Sequence, residues 1–275
     1  MDLITAVIAL SITGMLVGLA SGLLGLGGCF IMVPVLYWVY TSMGFSPDIA
    51  IRVAFGTNLL VVLSTVMSSA FGHNKMGAVW WRAAIFIGIA GAIGAVIGAT
   101  IASHLPGEVL KIIFVIGILA GAFRMVTIKP PKPGQDPEDN PALWAAWGFP
   151  IGIVSGMIGI GGGVLMIPVM IIVLKFKIHE AVGTSAALMI FTSIGGVFGY
   201  IINGLGVEGI PPYSIGYVNL TAWLVLAATS VPMAQVGVMV AHKLPAKQLR
   251  YIFITMMVYM SLKMIGVFDW LGLPI

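Results

Sequence analysis

The chain has 275 residues, 60% of them hydrophobic and only 8% charged, with a formal net charge of +4 and a mean hydropathy of +1.11. Soluble domains carry about 25% charged residues, so this composition excludes a soluble globular protein and makes lipid the solvent. The basic residues are scattered without an arm or stripe, which excludes nucleic acid as a partner, and the single cysteine, Cys29, excludes an intramolecular disulfide.

The N-terminus, MDLITAVIAL, has no basic leader and reads as a retained first span. Apolar stretches then cover 3–41, 49–71, 79–103, 108–128, 142–174, 181–203, 216–242 and 246–268. A crossing takes about 20 residues, so six of these fit single spans. The first and fifth are too long for one crossing, and each is interrupted by glycines. Residues 17–35, VGLASGLLGLGGCFIMVPV, and 151–169, IGIVSGMIGIGGGVLMIPV, are identical at nine of nineteen positions. Glycine breaks a helix at a cost of roughly 1 kcal/mol each, so each segment reads as two short helices meeting at a turn. The second pieces, about 29–41 and 163–174, are too short for a full crossing and predict a hairpin with its tip inside the membrane.

Hydropathy collapses in KPPKPGQDPEDNP, which carries prolines that cannot continue a helix. The predicted organisation is a first membrane repeat over 1–128, a Pro-rich linker over 129–141 and a second membrane repeat over 142–275. Gly56-Thr57-Asn58 and Gly183-Thr184-Ser185 repeat, as do Leu105-Pro106 and Leu244-Pro245.

If each split segment returns to its own side, one face receives Lys75, Arg82, Arg124, Lys129, Lys132, Lys175, Lys177, Lys243, Lys247 and Arg250. The other receives Arg52, Lys111 and Lys263. Such a bias puts the richer face, with the linker, in the cytoplasm and both termini outside. Trp80, Trp81, Trp144 and Trp147 then lie near the inner interface. A hairpin plus three spans ends each half opposite its start, so the halves have inverted topology. The fold class expected is an all-α polytopic membrane protein of two such repeats.

Corresponding broken helices point to the binding site of a secondary transporter. The short helix after each break, beginning near Cys29 and Val164, presents unpaired N–H groups and a positive dipole end. Glycines at 27, 28, 161, 162 and 163 let a ligand approach the backbone, which suits a small anion. The candidate binding residues are Ser21, Gly22, Gly25, Gly27, Gly28, Cys29, Thr57 and Asn58 in the first half. In the second they are Ser155, Gly156, Gly159, Gly161, Gly162, Gly163, Thr184 and Ser185. Arg52, His179 and Gln235 are pathway candidates. The spaced glycines Gly88, Gly91, Gly94 and Gly98 read as helix-packing positions, and His73 and Lys75 as loop residues. Neither cluster has the G-x-G-x-x-G or Gly-Lys-Ser pattern of a nucleotide loop.

All nine carboxylates fall in loops or at span ends, so coupling to a proton or other ion would run through histidine, the substrate's own proton or the membrane potential. No cluster of His, Asp or Glu offers metal ligands or acid–base pairs, and neither enzyme activity nor a cofactor is expected.

The doubled SG-x-x-G-x-GG-x-x-x-x-P pattern resembles the sulfite exporter TauE/SafE family of permeases. So do the Ala-x-Gly-Thr elements at 54–57 and 181–184, and the Leu-Pro turns followed by Leu110-Lys111 and Leu249-Arg250. The resemblance covers nearly the whole chain. It implies a prokaryotic-type permease of the cytoplasmic membrane for sulfur-containing oxyanions such as sulfite or organosulfonates. A transporter of another small anion such as a carboxylate would share the architecture, and an anion channel is a further alternative.

Overall fold

A computed structural model of the chain describes residues 3–24, 29–127, 137–241 and 246–266. Helices dominate: α1 Leu3–Leu24, α2 Cys29–Ser42, α3 Pro47–Lys75, α4 Trp81–His104, α5 Gly107–Thr127, α6 Pro141–Ile158, α7 Gly163–Ile172, α8 Ile178–Gly204, α9 Leu220–Ala241 and α10 Ala246–Ile265. The protein is an all-α polytopic membrane protein. Among the described residues, six helices (α1, α3, α4, α6, α8 and α9) are long and apolar enough to cross a bilayer.

The helix ends follow local chemistry. Ser46 caps α3, its Oγ accepting from Ile49 N at 3.4 Å, and Pro47 takes the first helical position, where its missing N–H costs nothing. Asn140 does the same for α6, accepting from Ala142 N and Leu143 N ahead of Pro141. Gly159 ends α6 with φ +67°, a left-handed conformation that favours glycine.

Both breaks lie at the glycine clusters, and the short second arms match the sequence reading closely. The first arms do not: α1 has 22 residues and α6 has 18, against 14 in α2 and 10 in α7. At 1.5 Å per residue α7 is about 15 Å long, half the hydrocarbon thickness. The hairpins therefore pair a full-length arm with a half-length one. Two other expectations are corrected. His73 and Lys75 are the last turn of α3, with His73 buried, not loop residues. Part of the stretch from 216 forms a two-stranded antiparallel hairpin, Ser214–Ile215 with Val218–Asn219, before α9 begins.

Small residues draw two helix pairs into backbone contact. A side chain at Gly14, Gly18 or Gly22 of α1 would strike Leu226 O, Ser230 O or Ala234 O of α9. On α4, side chains at Gly94 and Gly98 would strike Phe149 O and Ile153 O of α6. Side chains at Gly152 and Gly156 of α6 would in turn strike Gly91 O and Ala95 O. This is small-residue packing, which drives association where lipid removes the hydrophobic incentive. It accounts for Gly91, Gly94 and Gly98; Gly88 packs instead on Phe191 of α8. The order of contacts makes α1 parallel to α9 and α6 parallel to α4. Helices α3 and α8 cross at the centre, packed on each other.

The two ends of the bundle differ in what they gather. At one end Arg52 Nη2 donates to Leu105 O at 2.9 Å and Gly107 N to Asp48 Oδ1 at 2.6 Å, which joins the α2–α3 and α4–α5 turns. The Arg52 guanidinium also lies 5.9 Å from the Tyr217 ring of the α8–α9 loop. At the other end Arg82 pairs with Asp139 at 3.0 Å and Lys175 with Glu138 at 2.7 Å, uniting the α3–α4 and α7–α8 turns with the residues before α6. Trp80 packs there between Trp144, edge to face at 5.4 Å, and Phe176, tilted at 5.1 Å. Glu138 N donates to Leu174 O at 2.9 Å, so the chain entering α6 meets the chain leaving α7. That hairpin returns to its own end. Lys75, Arg82, Lys175 and Lys177 thus share an end opposite Arg52 and Lys111. Lys129, Lys132 and Lys243 lie outside the described residues.

Candidate anion site

The turn between α6 and α7 is built from glycines in conformations that other residues resist. Gly161 has φ +80° and Gly162, the residue capping α7, has φ +99° with no side chain to satisfy the first amides of the helix. The turn is held from both central helices. Asn58 Nδ2 of α3 donates to Gly159 O, and Thr192 Oγ1 of α8 donates to Gly161 O at 2.6 Å. Phe55 packs against Gly159, and Val62 and Met189 against Gly161. Asn58 and Thr192 stand 12 and 15 residues into helices of 29 and 27 residues, so the turn lies near the middle of the bundle.

Three polar atoms at this turn are fully buried and have no hydrogen-bond partner among the described residues: Ser155 Oγ, Ser193 Oγ and Asn58 Oδ1. A Cβ at Gly162 would lie 3.5 Å from Ser155 Oγ and 3.9 Å from Thr192 Oγ1, and one at Gly161 3.3 Å from Ser193 Oγ. Burying an unpaired hydroxyl costs about 1–3 kcal/mol. Two hydroxyls beside a bare helix N-terminus thus form a neutral, pre-oriented set of donors for an anion.

The remaining candidates divide by position. Ser21 is fully buried, its Oγ without a partner among the described residues, and is the first-half equivalent of Ser155. Gly22 and Gly156 point at the α9 and α4 backbones as described above. Gly163 is the buried first residue of α7. Gly25, Gly27 and Gly28 lie outside the described residues, and Cys29 begins α2.

Thr57 and Thr184 do something sequence reasoning missed. Thr57 Oγ1 accepts from Asn219 N just ahead of α9, and Thr184 Oγ1 accepts from Trp80 N just ahead of α4, both at 2.9 Å. The preceding glycines, Gly56 and Gly183, admit Tyr217 O and Ala78 O into space a side chain would fill. Each Ala-x-Gly-Thr element therefore ties its own half to the start of a helix in the other half. Ser185 is fully buried one residue further along α8.

Gln235 Nε2 donates to Ser68 O at 2.6 Å and lies 2.9 Å from Ser68 Oγ, so it bridges α9 to α3. Arg52 is held at the α4–α5 turn, and His179 is exposed in the first turn of α8. Thr192 and Ser193 were missed, although they lie seven and eight residues beyond Ser185 on the same face of one helix. A separate crevice of about 270 Å³ between α5, α6 and α7 is lined by apolar residues including Trp147, Val164 and Pro168. It offers an anion nothing.

Membrane-competent helices packed around a buried polar turn define a polytopic membrane protein. Residues 10–264 match the family described as Sulfite exporter TauE/SafE, and the chain belongs to that family. It is 31% identical over 257 residues to a probable membrane transporter protein of Methanocaldococcus jannaschii, covering 93% of this chain and 94% of the relative. It is 27% identical over 260 residues to a probable membrane transporter protein of Haemophilus influenzae, covering 94% and 98%. Against the probable membrane transporter protein YunE of Bacillus subtilis it is 27% identical over 215 residues, covering 72% and 79%. No solved structure matches the chain. The protein is a membrane transporter.

Proposed function

We propose that this transporter moves a small sulfur-containing oxyanion, such as sulfite or an organosulfonate, across the cytoplasmic membrane by alternating access. The observation that carries this reading is the pair of buried hydroxyls, Ser155 and Ser193, without partners among the described residues, at the N-terminus of α7, where Gly162 offers no side-chain cap. A helix N-terminus and hydroxyl donors bind an anion, and no carboxylate lies mid-span to attract a cation. The family description supplies the sulfur oxyanion.

The halves, 1–128 and 142–275, are inverted repeats joined by the linker at 129–141. Support comes from exchanged pairings: α1 of the first half lies parallel to α9 of the second, as α6 of the second lies parallel to α4 of the first. The reciprocal Thr57–Asn219 and Thr184–Trp80 bonds repeat the exchange. By that relation the N-terminus of α2, with Ser21 and the glycines at 25, 27 and 28, completes the site opposite α7. The basic end of the bundle, with the linker, faces the cytoplasm, and both termini lie outside.

Labelled sulfite flux into proteoliposomes tests the reading, with sulfonate, thiosulfate, sulfate and acetate as competitors. Saturable sulfite flux, competed by sulfonate and not by acetate, is expected. Absence of flux, or equal competition by acetate, contradicts the assigned substrate.

A further inference from the structure

Resting on that reading, we infer that the site takes its oxyanion with a single negative charge, so that the hydrogen form of sulfite is carried and the dianion is refused. Three observations converge on this charge. First, no Asp, Glu, Lys or Arg occurs anywhere in α1, α2, α6, α7 or α9, in α3 from Val53 to Gly72, or in α8 from Ala181 to Gly204. The residues between α1 and α2 are Gly25, Leu26, Gly27 and Gly28, which add none. An anion at the α6–α7 turn therefore meets no cationic side chain from these elements. The cost of removing an ion from water grows with the square of its charge, so a dianion pays about four times what a monoanion pays.

Second, what is present to compensate falls short of two charges. A helix N-terminus is equivalent to roughly half a positive charge, and the turn presents that of α7. The remaining partners, the hydroxyls of Ser155 and Ser193, are neutral.

Third, Asn58 is oriented for a ligand that also donates. Its Nδ2 is committed to Gly159 O, which leaves Oδ1, an acceptor, buried without a partner among the described residues. A carbonyl oxygen repels a dianion more strongly than a monoanion, and an oxyanion that keeps an O–H can also satisfy it. In a chain whose spans carry no central carboxylate, the proton then crosses on the substrate itself. Asn58 becomes the specificity-determining residue for the protonated form, and Ser155 and Ser193 serve its charge.

Few titratable groups lie on the elements packed about the site, and one of them, Cys29, begins α2. Tyr200 of α8 donates to Met157 O at 3.2 Å, Tyr40 of α2 is buried, and Arg52 of α3 is bound to Leu105 O. His73 of α3 lies 15 residues beyond Asn58, about 22 Å along the helix.

The test is calorimetric titration of the purified full-length protein with total sulfite and, separately, with methanesulfonate, a permanent monoanion, between about pH 6 and about pH 9. Sulfite loses its second proton near neutral pH. Its apparent Kd is expected to rise about tenfold for each pH unit above that ionisation, as mass action requires, while the sulfonate Kd stays within about twofold. Sulfite affinity that is flat or tightens with pH overturns the inference and leaves the transport reading intact. Parallel weakening of both ligands assigns the titration to a protein group and also overturns it. If no sulfur oxyanion binds at any pH, the transport reading fails and the inference falls with it. Should sulfite bind and the sulfonate not, a lumenal pH dye decides. Sulfite uptake that acidifies proteoliposomes beyond protein-free vesicles supports the inference, and uptake without acidification overturns it.

Discussion

Replacing Ser155 with alanine separates a ligand-binding hydroxyl from a structural one, because the two roles demand effects of opposite sign. Ser155 Oγ is fully buried and has no hydrogen-bond partner among the described residues. In the unliganded protein the substitution removes a desolvated polar atom whose unpaired burial costs about 1–3 kcal/mol. The Ser155→Ala protein is expected to be as stable as the parent or more so, by up to that amount. With an anion bound, the same hydroxyl makes a hydrogen bond to a charged group, worth about 1.5–3 kcal/mol. Its loss should weaken binding about 10- to 100-fold, at about 1.4 kcal/mol per factor of ten. Thermal unfolding in detergent reads the first effect and sulfite titration the second. A variant that is less stable while its affinity is unchanged would refute the reasoning and make Ser155 a packing residue.

Gly162→Ala places a Cβ no closer than 3.5 Å to any atom, but at φ +99°, so it should cost about 1–2 kcal/mol of stability through the backbone alone; urea or thermal titration against wild type measures it. Thr184→Val strands Trp80 N without its acceptor and should cost about 1–3 kcal/mol, and Thr57→Val should do the same to Asn219 N; comparable losses of thermal stability in both are expected. Gly152→Leu drives a side chain into the Gly91 backbone and should abolish the monodisperse species in size exclusion, because α4 and α6 cannot separate without exposing their shared face. Arg82→Ala breaks a pair whose side chains are 56% and 49% exposed, so it should change stability by less than about 1 kcal/mol and leave flux unchanged.

Much of this was legible in the chain because glycine and charge are strong local signals. The broken hairpins, and the short arms starting at Cys29 and Gly163, follow from clusters that no continuous helix tolerates. What stayed hidden depended on distance in sequence. Thr57 reads as a free hydroxyl until Asn219 N, 162 residues away, is brought to it. Gly22 and Gly156 sit inside the repeated motif, yet they also continue four-residue series, Gly14-Gly18-Gly22 and Gly148-Gly152-Gly156, whose spacing marks a packing face. The longer first arms are also traceable, since the apolar stretches run unbroken from 3 and 142 to the glycine clusters. The stretch from 216 reads as a span because Tyr217 and Val218 are apolar, although Val218–Asn219 is the second strand of the hairpin. Ser193 belongs to the candidate site through α8 alone, and an isolated serine in a span carries no signal of its own.

The most direct test of a carrier with one buried oxyanion site is solute counterflow. Proteoliposomes loaded with unlabelled sulfite are diluted into trace labelled sulfite, with no other gradient imposed. The account predicts that label accumulates transiently above its equilibrium level, because each outward passage returns the site loaded from the other side. Simple equilibration without an overshoot, at rates far above those of a carrier, would contradict it.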